Sequence, residues 1–109
     1  MAIQHKNLSD GKWQDFSLAE QMGNIGSEIS RTLKWKNEDF LIFQRDIDRA
    51  IELLDLTIKD DRWQNRLKEL IRVRESLADA VFGGTEYKTS LEDLDKYFFH
   101  FALAARLNK

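Results

Sequence analysis

Apolar residues recur along this chain at spacings of three and four, the period of helices that bury one face. The first run is Leu18, Met22, Ile25, Ile29 and Leu33. Ser17 stands just before it with Glu20 three residues on, the capping box in which each side chain satisfies a backbone N–H at the helix start. Gly23 and Gly26 weaken this helix, and their expected use is the close approach of a neighbour. A second run carries Phe40, Phe43, Ile47, Ala50, Ile51, Leu54 and Ile58 on its inner face. Asn37 is its expected cap, with Glu38 and Asp39 in the first turn, where carboxylates suit the positive helix end. Leu33 and Phe40 lie one heptad apart, so the two runs could form one rod. Lys36 and Asn37 would then sit polar on the inner stripe, and a break is expected.

Asp60 or Asp61 caps a third run of Trp63, Leu67, Leu70, Arg74, Leu77 and Val81, which stops at Gly83-Gly84. Thr89-Ser90-Leu91-Glu92 supplies another capping box, and the helix after it buries Leu91, Leu94, Phe98, Phe101, Ala102 and Ala105. The pattern predicts helices over about 17–36, 38–59, 61–82 and 90–107. Residues 1–16 are an irregular arm, with a turn signal at Ser9-Asp10-Gly11 and tethers at Trp13 and Phe16. The expected fold is all-α: one antiparallel up-down-up-down four-helix bundle over 17–109, with a short N-terminal arm.

Composition sharpens this in one respect. The 109 residues include no proline, where average usage of about 5% would give roughly five, and helix interiors are what exclude it. The absence of cysteine rules out disulfides, thiolate metal sites and cysteine nucleophiles, and a cytoplasmic location is expected. No apolar run approaches the roughly 20 residues of a membrane span, and residues 1–16 lack the apolar core of a signal peptide, so no membrane partner is expected. A net charge of −2 gives no general attraction to nucleic acid.

Little points to chemistry. A di-metal bundle needs inward glutamates and Glu-x-x-His pairs. The two histidines are His5, in the arm, and His100, which has Lys96 and Tyr97 rather than glutamate one turn before it. Neither glycine pair offers a phosphate cradle, because Gly23 and Gly26 lie within a helix and Gly83-Gly84 lacks a following lysine and hydroxyl residue. No catalytic residue, metal or cofactor is expected.

Three features remain. Arg62, Arg66 and Arg72 on the third helix are candidate nucleic-acid contacts, but they are spread round the helix and interleaved with Glu69, Glu75 and Asp79, as on a solvated face. Arg74 falls on the apolar stripe and is expected to be a buried charge paired with Glu28 or Asp55. On the fourth helix Phe99, Leu103 and Leu107 form a second apolar ridge, at roughly 80°, 120° and 160° from Leu91, while the inner face centres near 310°. Ile42, Leu53 and Leu56 are its looser counterpart on the second helix. An apolar ridge facing away from the core is expected to be covered by something. The sequence therefore favours a non-enzymatic interaction module, self-associating as a homo-oligomer or serving as the small subunit of a larger assembly. The alternative is a nucleic-acid-associated accessory subunit, such as the helical partner of a nucleotidyltransferase or reverse transcriptase.

Overall fold

A computed structural model describes residues 12–82 and 89–107. Of the described residues 88% are helical and none is in a strand, so the 3.6-residue period governs the architecture. A 3₁₀ turn, Lys12–Asp15, leads into α1 (Leu18–Trp35) and α2 (Phe40–Ile58). A second 3₁₀ segment, Asp61–Arg66, runs into α3 (Leu67–Val81), and α4 (Leu91–Leu107) ends the described chain.

The four helices form an all-α bundle, but not one with equal neighbours. α1 packs extensively against both α4 and α2, whereas α3 lies more lightly against α2 and α4. The sequence of α1 explains its central place. Gln21, Met22, Gly23, Ile25, Gly26, Glu28, Ile29 and Thr32 are all buried, an arc too wide for a helix with one covered face. A Cβ on Gly23 would lie 3.1 Å from Ala102 Cα, and one on Gly26 would lie 2.7 Å from Phe98 Cβ. The two glycines thus let α4 approach the α1 backbone as closely as it does.

Local signals set the helix ends. Ser17 and Glu20 form the reciprocal capping box at the start of α1. α1 stops at Trp35, whose carbonyl accepts from the backbone N–H groups of Glu38 and Asp39, so α1 and α2 are separate helices. The cap of α2 is Asp39 rather than Asn37. Its carboxylate accepts from Leu41 and Ile42 N–H at 3.1 and 3.2 Å. That moves the helix start two residues on and leaves Phe40 and Leu41 in an exposed first turn, although Phe40 had been expected on the inner face. At α4 the box closes between Ser90 and Asp93, one residue later than expected.

Residues 12–15 are not irregular. Trp13 is fully buried, its indole N–H donating to Thr57 Oγ1 at 2.9 Å and its carbonyl accepting from Gln21 Nε2 at 2.8 Å. The rest of the expected arm, residues 1–11, and the Gly83-Gly84 stop lie outside the described residues.

Asp60 caps the 3₁₀ segment by accepting from Arg62 N–H. Backbone torsions at Trp63 (φ −105°, ψ 24°) break the winding there. A 3₁₀ turn advances about three residues rather than 3.6. Trp63 therefore falls out of the α period, which Leu67–Val81 keep. The face that α3 buries is Leu70, Val73, Ser76 and Leu77, with Val73 in place of Arg74.

Candidate interaction face

α4 divides cleanly. Leu91, Leu94 and Phe98 are buried against α1 and the core, and Tyr97 and Phe101 are half-buried beside them. Phe99, Leu103 and Leu107 are 54%, 40% and 75% exposed. The physical reason lies in the packing order. The central helix of this bundle is α1, so α4 is peripheral and has no neighbour for its second ridge.

Beside that ridge runs a groove of about 330 Å³ along the α1/α4 seam. Gly23 and Gly26 form its floor, and Ser27, Ser30, Phe99 and Arg106 are among its walls. Asp95 accepts a short hydrogen bond from the Ser30 hydroxyl across the seam. Arg31 and Lys34 also line the groove. Arg31 is held by Glu28 of its own helix at 2.8 Å. Lys34 and Arg106 form no ion pair with any described residue.

The expected counterpart on α2 is corrected. Leu53 is 2% exposed and belongs to the core, while Ile42 and Leu56 are half-buried, Leu56 against the core. α2 is flanked by α1 and α3 and so needs a wider apolar arc than a helix with one neighbour. The exposed apolar residues of α2 are instead Phe40 and Leu41, 69% and 77% exposed.

Arg74 is corrected as well. Its guanidinium meets Asp55 in a two-point contact, Nε–Oδ1 at 2.5 Å and Nη2–Oδ2 at 3.3 Å, but both side chains are 41% exposed. It is therefore a half-exposed pair between α2 and α3, not a buried charge. Glu28, the other carboxylate considered, pairs with Arg31. Because water reaches the Arg74–Asp55 pair, Arg74→Ala is expected to cost no more than about 1 kcal/mol, where a buried pair would cost about 3–5. Urea denaturation of the variant measures this directly.

The arginines considered for nucleic acid each have a partner within the chain. Arg62 donates from Nη2 to Asp60 at 2.7 Å and to the Phe16 carbonyl at 2.9 Å, and it stacks over the Trp63 ring. Its hydrogen bonds hold the Asp60 carboxyl below the usual carboxylate range. Arg66 pairs with Glu69 at 2.9 Å. Glu69 also accepts from the Tyr97 hydroxyl at 2.6 Å; that bond, then Arg66, holds its pKa down, while burial and Glu69 push Tyr97 up. Arg72 is exposed and also engaged within the chain. His100 is exposed on α4, and no three acidic or histidine side chains converge among the described residues. No helix among them is long and apolar enough to cross a membrane.

The periodicity did not reveal a polar network at the end of the bundle away from the α1–α2 turn. Gln21 is fully buried, donates to the Trp13 carbonyl, and accepts from the Trp63 indole at 3.0 Å. The available signal was a polar residue three after Leu18 and four before Ile25, squarely on the apolar stripe. The groove also had a signal, the small residues Gly23, Gly26 and Ser30 at spacings of three and four.

No family model, curated protein or solved structure matches the chain. The α4 face is therefore read from its own chemistry.

Proposed function

We propose that this chain is a non-enzymatic helical interaction module that docks through the outer face of α4, either self-associating or joining a larger assembly as its small subunit. The observation that carries the reading is the line of Phe99, Leu103 and Leu107 left in water by a peripheral helix. Covering such a ridge favours association at roughly 25 cal/mol per Å² of apolar area, before the entropic costs of binding. The lack of cysteine supports a reducing, cytoplasmic setting. The nucleic-acid alternative draws less support, because Arg62 and Arg66 are held by Asp60 and Glu69.

The test is Phe99→Asp combined with Leu103→Lys. Both side chains face solvent, so the variant should keep its helicity by circular dichroism. In light scattering it should be monomeric where the parent associates, or it should lose a partner that co-purifies with the parent. A double variant that unfolds would mean the ridge belongs to the core. A parent protein that is monomeric and partnerless at high concentration would remove the reading altogether.

A further inference from the structure

α3 lies only lightly against α4, and the two helices leave between them a cleft of about 370 Å³. It shares no lining residue with the α1/α4 groove. Val73 of α3, with Leu94 and the Tyr97 ring of α4, makes its walls largely apolar. The Tyr97 hydroxyl is committed to Glu69, so the ring is what this residue offers to the cleft. Arg72, Glu69 and Asp93 also line it, and each is engaged within the chain. The cleft therefore selects strongly for neither charge.

One polar group in this lining has no partner. Ser76 is 7% exposed, and its hydroxyl forms no hydrogen bond with any described residue. A hydroxyl inside a helix commonly turns back to the carbonyl four residues before it. Thr32 and Thr57, buried like Ser76, do so on Glu28 and Leu53. Ser76 makes no such bond to Arg72. Buried polar groups are nearly always satisfied, so an unmet hydroxyl on the wall of an apolar cleft calls for a partner.

We propose that the α3/α4 cleft binds a small neutral molecule built of one apolar ring and a single hydrogen-bonding group. The ring lies against Val73, Leu94 and Tyr97, and the polar group meets the Ser76 hydroxyl. This site is separate from the docking face proposed on α4 and does not depend on it. Its volume is at the lower end of what ligand sites enclose, about 300–1,000 Å³, which suits one ring rather than a nucleotide or a large cofactor. An aromatic ring adds an edge or offset contact with Tyr97 to the burial of area. Specificity comes from Ser76, because a ligand without a polar group leaves the hydroxyl unmet.

The probes are phenol and toluene, which match in shape and differ in the hydroxyl. Each is titrated into the isotope-labelled full chain and followed by nuclear magnetic resonance. Phenol should shift resonances centred on Val73, Ser76 and Leu94, saturably, and bind about fivefold more tightly than toluene, the worth of one hydrogen bond. It should also raise the melting temperature of the parent. Ser76→Ala should weaken phenol about fivefold, to the level of toluene, and leave toluene unchanged. Ser76→Leu, which fills the cleft, should stop both probes from binding. Circular dichroism checks that each variant keeps the parent's helicity. Ser76→Ala removes only an unbonded hydroxyl, so it should fold and decides the matter even if the leucine variant does not. A parent that binds phenol and toluene equally overturns the proposal. So do phenol shifts spread over the exposed Ile71, Phe82 and Phe99 instead of the cleft, and so does the absence of saturable binding.

Discussion

Trp13→Ala is expected to lower the stability of the fold by about 3–5 kcal/mol, the usual cost of emptying a large aromatic site in a core. Trp13 is fully buried, although it precedes the first α-helix and lies in a stretch with no periodicity. Its ring packs edge-on to Phe16 at 5.7 Å. Its indole N–H holds Thr57 near the end of α2, and its carbonyl holds Gln21 in the first turn of α1. Alanine would leave a void between the two helices and take the indole donor from Thr57 Oγ1, which keeps only its own bond to the Leu53 carbonyl. Trp13→Phe separates these effects. It keeps most of the volume and removes one hydrogen bond, so its cost should be nearer 1 kcal/mol plus a small cavity term. For a native stability in the usual range of about 5–15 kcal/mol, the alanine variant loses a large share of it. Urea titration followed by far-ultraviolet circular dichroism is the measurement. An alanine variant with the parent's midpoint would show that the Lys12–Asp15 turn is an appendage rather than part of the core.

Gly26→Ala is expected to destabilise the protein by about 1–2 kcal/mol, against the general rule for helices. In an exposed helix interior the same change gains about 1 kcal/mol, since glycine is costly to order. At Gly26 the new methyl would lie 2.7 Å from Phe98 Cβ. That atom is fixed to the α4 backbone and cannot swing aside as the tip of a long side chain would. Overpacking of this kind costs about 1–3 kcal/mol and outweighs the propensity gain. Gly23→Ala meets Ala102 Cα at 3.1 Å, a tight but smaller offence, and should come out close to neutral. The pair is compared by denaturant midpoint. A Gly26→Ala protein more stable than its parent would mean that α4 sits farther from α1 than described.

The helices were legible because each announces itself twice, by an apolar period and by a cap. Ser17 with Glu20 fixed the start of α1, and Leu18, Met22, Ile25 and Ile29 are its buried stripe. The glycines of α1 were legible as contact points, since nothing else in a helix interior calls for them. Phase was less secure. Asn37 and Asp39 are both competent caps, and only the turn hydrogen bonds to Trp35 select Asp39. Within α3, Val73 and Arg74 both adjoin Leu70 and Leu77 at spacings of three and four, so spacing alone does not choose between them, and the bundle buries Val73. The ridge of α4 could be read from spacing alone, because it is internal to one helix. Its counterpart could not, since whether Leu53 or Phe40 meets water depends on how many neighbours α2 has, and that is a property of the assembled bundle.

The central place of α1 has a consequence during synthesis. Its partner α2 follows it almost at once, across a short turn, so that half of the seam can close while the chain is still growing. Its other partner, α4, is the last described helix. At about 5–20 residues per second, α1 waits several seconds between leaving the ribosome and the arrival of Phe98 and Ala102 over its glycines. During that interval the nascent chain presents the uncovered glycine face of α1, the surface that the α4 of a completed neighbouring copy would occupy in a domain exchange.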